Sequence, residues 1–166
     1  MNVSSSAGVL AVACMITSLG PADAPETAKP DVVQVIGYYS QIKQTSEHAY
    51  GYVLRLWRDG ESVHGLWARS DGRPADFPAV LTTVLHFDES TGRLRFTAQW
   101  CDETESFEGV LKGETIVGEV VRTSRAGSEI KKLRLRKSED EEAGPRSRVE
   151  WTDLIEQILK TRGPKC

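Results

Sequence analysis

The feature that most constrains this chain is a period-two alternation of apolar and polar side chains in short runs. Turn residues break the runs, and no long amphipathic crossover lies between them. From Arg93 to Cys101, Leu94, Phe96, Ala98 and Trp100 face one way while Arg93, Arg95, Thr97, Gln99 and Cys101 face the other. Asp59-Gly60 is the sharpest hairpin signal, with Asp71-Gly72, Thr91-Gly92, Gly113-Glu114 and Ala126-Gly127 acting similarly. These breaks predict strands at about 32–39, 49–58, 61–69, 79–87, 93–101, 105–112, 115–124 and 129–137. Parallel neighbours need crossovers of about a dozen residues, so consecutive strands pair antiparallel. Eight such strands with one apolar face either stack as two sheets or close on themselves, and short turns make closure the simpler solution. The expected fold is all-β: an eight-stranded antiparallel up-and-down β-barrel.

Parity places Leu81, Thr83, Leu85 and Phe87 on one face, as it does Phe107, Gly109 and Leu111. The runs at 49–58 and 61–69 leave the face open, because Leu54 and Leu56 compete with Val53 and Trp57. Beyond the last strand, residues 138–148 form a charged linker, and 149–161 carry Trp151, Leu154, Ile155, Ile158 and Leu159 at helical spacing. A helix this short needs a partner surface, so it is expected to pack outside the barrel, on Val80 and Val84 or on Val117 and Val121. Residues 162–166 are a tail.

Ahead of the domain, residues 1–22 include a thirteen-residue apolar stretch from Ala7 to Leu19, too short for a bilayer span of about 20 residues. It suits a secretory leader, with residues 23–31 as a Pro-rich linker to the domain at 32–137. Leu10-Ala11-Val12-Ala13-Cys14 resembles the lipobox of bacterial lipoproteins, which implies lipidation of Cys14 and a lipid anchor as the alternative to cleavage. Either processing leaves no membrane span and an exported protein: periplasmic, cell-surface or extracellular, in a bacterium. Removing the leader leaves Cys101 and Cys166, and an even count in an oxidising compartment reads as a disulfide.

An exported eight-strand meander with a following helix and a tail tied to the outer wall resembles the calycin group, lipocalins above all. The resemblance spans residues 32–166 in layout. Lipocalins carry Gly-x-Trp on the first strand with an Arg from the last strand beneath it; here Gly37-Tyr38-Tyr39 stands in that place, with Arg134 or Arg136 as the partner. It implies an interior ligand site for a small hydrophobic molecule.

Small residues at Thr83, Ala98, Gly109 and Gly118 beside large rings predict an aromatic-walled cavity or, equally, an interlocked interior. The candidate ligand-binding residues are Phe87, Phe96, Trp100, Phe107, Tyr39 and Tyr52, with Tyr38 and Tyr50 joining the last two at one rim. His48, His64 and His86 show no ligand spacing, and no nucleotide or hydrolase motif occurs, so no metal, cofactor or catalytic residue is assigned and enzyme activity ranks third. Asp102, Glu103 and Glu105 read as a solvated acidic turn rather than a calcium site. The basic stretch 122–137 beside the acidic hairpin 102–119 reads as cross-strand pairing, and a formal charge of −3 gives no reason to expect nucleic acid as a partner. Two function classes follow: an exported barrel binding an apolar or aromatic small molecule inside, or a non-enzymatic envelope module with a packed barrel that binds a protein partner.

Overall fold

The Asp59-Gly60 hairpin forms where its turn chemistry demands it. Gly60 adopts φ +59°, a left-handed value that glycine tolerates without strain, and the Gly60-Glu61 turn joins Asp59 to its partner Ser62. In a computed structural model of the protein, residues 33–72, 78–138 and 148–162 are described. The leader with Cys14, the Pro-rich linker, most of the 71–78 loop, the acidic linker after Ser138 and Cys166 lie outside the described residues. The strands are β1 (Val33–Gln44), β2 (Ala49–Asp59), β3 (Ser62–Asp71), β4 (Ala79–Asp88), β5 (Arg93–Gln99), β6 (Thr104–Lys112), β7 (Thr115–Ser124) and β8 (Gly127–Lys137). They pair antiparallel in sequence order and β1 pairs with β8, giving a closed eight-stranded barrel. One helix, α1 (Arg148–Arg162), follows.

Two apolar layers explain the ambiguity of β2 and β3. Leu54, Leu56 and Trp67 face inward, while Val53, Trp57, Leu66 and Ala68 face outward beneath α1. Trp151 and Ile155 of α1 complete this outer layer with Val33 and Ala79, and the Trp57 and Trp151 rings lie 4.4 Å apart. Strands under the helix therefore carry large apolar residues on both parities. The helix does not sit where parity alone placed it: Val80 is inside the barrel and Val117 stands 47% exposed.

Three other expectations change. A bulge between Thr83 and His86 reverses parity along β4, so Leu81 and Thr83 face out while Leu85 and Phe87 face in. A second bulge between Val35 and Gly37 does the same in β1, which also runs on to Gln44. Arg134 and Arg136 are exposed and alternate with the inward Leu133 and Leu135, so neither lies beneath Tyr39.

The inner glycines hold no empty notch. Gly109 and Gly118 are register partners on β6 and β7, and the Phe107 ring lies across both: a Cβ on either would meet that ring at 2.7 Å. A Cβ at Gly118 would also meet the Glu108 carbonyl oxygen at 2.3 Å, backbone that has nowhere to move. Gly118→Ala is therefore expected to lower stability by about 1–3 kcal/mol, read as a shift in the urea midpoint. Trp151→Ala should cost a comparable amount by stripping the outer layer, about 3 kcal/mol, without loss of the β-sheet circular dichroism signal.

Candidate functional site at the mouth of the barrel

The barrel has two ends of different character. One carries the β2–β3, β4–β5 and β6–β7 turns; there Asp88 accepts hydrogen bonds from the Ser90 and Thr91 hydroxyls at 2.6 and 2.7 Å, which hold its carboxyl down at about 2. The opposite end, the mouth, gathers the ends of β3 and β5, the starts of β2 and β6, and the β5–β6 turn. Inward parity at these positions delivers Tyr52, Arg69, Glu105 and Arg122 to the interior. Their registers place Tyr52 opposite Arg69, and Glu105 opposite both Ala98 and Arg122.

Glu105 is fully buried, at 0% exposure. The Trp67 and Trp100 indole N–H groups donate to its Oε2 at 2.6 and 3.0 Å, and Arg69 donates to its Oε1 at 2.8 Å. The second arm of Arg69 reaches Glu103 at 2.6 Å, and its guanidinium lies 4.4 Å above the Trp100 ring. Arg122 donates to Glu103 and to Asp71, both at 2.9 Å, and its Nε stands 3.8 Å from Glu105. Because β3 and β6 are not neighbours in the sheet, the Trp67 and Arg69 bonds to Glu105 cross the interior and tie opposite walls together.

Electrostatics follow from that closure. Burial alone would raise the Glu103 carboxyl, but hydrogen bonds and charge from Arg69 and Arg122 outweigh it and hold the group below its ordinary value. Burial pushes the Tyr52 hydroxyl up to about 12, helped by the negative charge of Glu105. Chemically the cluster is a latch: two guanidinium groups meet three carboxylates, and the buried carboxylate has both oxygens engaged by donors.

The six aromatic candidates, Tyr39, Tyr52, Phe87, Phe96, Trp100 and Phe107, do come together in the inner cluster. The Tyr52 and Trp67 rings stack with centroids 5.0 Å apart, as do Phe96 and Phe107. The rim of four tyrosines does not form: Tyr39 and Tyr52 are buried inside, Tyr38 lies outside under the Arg55 guanidinium, and Tyr50 is 47% exposed. Glu103 and Glu105 are not a solvated turn, since both are drawn inward by arginines. Parity of Arg122 with Val120, and its charge opposite Glu105 on the neighbouring strand, was the available signal for half of this latch. His48 bonds the Gly72 carbonyl at 2.9 Å, His64 lies beside Trp151 on the helix side, and His86 is exposed. Among the described residues no group of three or more His, Cys, Asp or Glu is placed to hold a metal ion, and no helix is long and apolar enough to cross a membrane. Cys101 is exposed in the β5–β6 turn, beside the mouth. No known protein family, curated protein or solved structure matches this chain.

Two outcomes test the latch. Glu105→Leu leaves two indole N–H groups and one guanidinium arm without their buried acceptor, so a loss of about 3–5 kcal/mol is expected in urea denaturation, partly recovered by adding Arg69→Met. The depressed Glu103 carboxyl contributes stability that is complete above its ordinary value of 4.5 and is lost as pH falls through its lower folded value. Tyr52 acts at the other end of the range, its contribution fading as pH rises from 10 through about 12. Glu103→Gln should flatten the acid limb of a plot of stability against pH and leave the alkaline limb alone.

Proposed function

We propose that this chain is an exported, non-enzymatic interaction module whose barrel is a packed scaffold, with function carried on its outside. The observation that carries the reading is the filled interior: Phe107 covers the glycine pair, Phe96 stacks on it, and the mouth above is crossed by the Glu105 latch. What the barrel leaves outside is the basic outward face of β8, with Lys132, Arg134 and Arg136, on a strand whose only acid is Glu129. Export rests on the apolar leader and on the cysteines: Cys101 as a disulfide-bonded sulfur supports an oxidising compartment, and its pairing with Cys166 belongs to the proposal.

The lipocalin-like reading, an apolar ligand held inside, has one observation in its favour: all six candidate aromatics share a single internal cluster. Titration with the fluorescent apolar probe N-phenyl-1-naphthylamine, with native mass spectrometry of the purified protein, separates the two. The module reading expects no saturable probe binding and a mass equal to the processed chain alone. Saturable binding that quenches Trp67 and Trp100 fluorescence would replace it with the ligand reading.

A further inference from the structure

The weakest join of the barrel is its closing seam. Among the described residues, β1 and β8 share two register pairs, Tyr39 with Lys137 and Ser40 with Arg136. Continuing that register toward the mouth would pair Ile42 with Arg134 and Gln44 with Lys132. Instead the Gln41 side-chain oxygen accepts the Arg134 backbone N–H at 2.7 Å, and the ladder stops. The remaining part of β8 is paired on its other side, through the register that joins Ser124 to Gly127 and Val121 to Ile130.

Strand geometry fixes which backbone groups the seam leaves open. Lys137 donates its N–H to Glu114 next to β7, whereas Arg134 and Ser138 donate theirs toward β1. Backbone direction alternates along a strand, so Ser128, Ile130 and Lys132 present both N–H and C=O to the open side. These residues are exposed, Ile130 at 66%. An unpaired row of this kind accepts another strand.

We infer that the open edge of β8, residues Gly127 to Leu133, binds an extended acidic segment of a partner protein by strand addition. This rests on the module reading above and names its partner chemistry. Charge selects the occupant. Within the edge Lys131 and Lys132 outnumber Glu129, and Arg134 and Arg136 continue the outward basic face beyond it, so a second copy meets mostly like charge while an acidic strand meets its complement. Ile130, opposite Val121, asks for an apolar residue between the acids.

The test is fluorescence anisotropy of a fluorescein-labelled Glu-Val-Glu-Val-Glu-Val peptide titrated with the full chain. Saturable binding is expected, weakened by salt, and absent for a Lys-Val repeat of the same length. Ile130→Pro removes an N–H that faces the open side and keeps every charge, so it should weaken binding about tenfold or more with an unchanged urea midpoint. Lys132→Glu with Arg134→Glu should weaken it by a similar factor. Amide hydrogen exchange of the wild-type chain supplies a reading independent of variants: the peptide should slow exchange at Ser128, Ile130 and Lys132. Equal affinity for Ile130→Pro, equal binding of the Lys-Val peptide, or unchanged exchange at those three amides would overturn strand addition. The two readings fail separately. An envelope partner cross-linked equally by wild type and Ile130→Pro overturns strand addition alone, whereas saturable binding of the apolar probe overturns the module reading.

Discussion

A single buried carboxylate sets the terms for this barrel. An ionised group taken out of water is costly unless its lone pairs are filled, and Glu105 fills them from three sources: two indoles and an arginine. Those donors come from β3 and from the turn after β5, so meeting the needs of one side chain fixes the relative position of opposite walls. The register pairing of Glu105 with small Ala98 on one side and Arg122 on the other gives the carboxylate room and a second cation. Once this is in place, Trp67 has a fixed plane, and the Tyr52, Phe96 and Phe107 rings pack around it.

Trp57 shows the same residue type under a different constraint. It is buried in the layer beneath α1, yet among the described residues its indole Nε1 has no hydrogen-bond partner. Trp67, by contrast, donates at 2.6 Å to a charged acceptor. One tryptophan is held by shape and the other by shape and charge, so the two apolar layers are not equivalent. The inner layer is anchored by polar bonds at the mouth, while the outer layer depends on burial by a helix of fifteen residues that would be marginal alone.

The strands and the closed order were legible because alternation and turn residues are local signals. Asp59-Gly60 and the clean parity of Arg93 to Gln99 needed no long-range information. The two bulges were not legible. An extra residue at Val84 or Ile36 changes which face follows, and nothing in a run of β-branched residues marks where the ladder slips. The latch was half legible: opposite charges on β6 and β7 could be paired from sequence, and Glu105 with Arg122 bears that out. The contribution of Arg69 could not, since it meets Glu105 across the interior, a relation that exists only after closure. The ambiguity of β2 and β3 was itself information. Large apolar residues on both parities mark strands covered on both sides, which is where α1 lies.

The polar bonds of the interior and the backbone bonds of the wall are unevenly spread, and the unevenness has a direction. Arg69, Arg122, Glu103 and Glu105 fasten β3, β6, β7 and the β5–β6 turn, and α1 covers the outside of β1 to β4. The first half of β8 receives neither. It holds to β7 by a full ladder, but toward β1 its support ends at a side-chain amide. A barrel loses its edges only if its seam is complete, so among the described residues an edge persists within a closed fold. Lys131 and Lys132 along that edge, with Arg134 next to them, oppose pairing with an identical strand, because like charges directly across a ladder destabilise it. The same residues do not oppose a strand of opposite sign. Natural edges are commonly blunted by charge, and one in which a single sign predominates is blunted selectively.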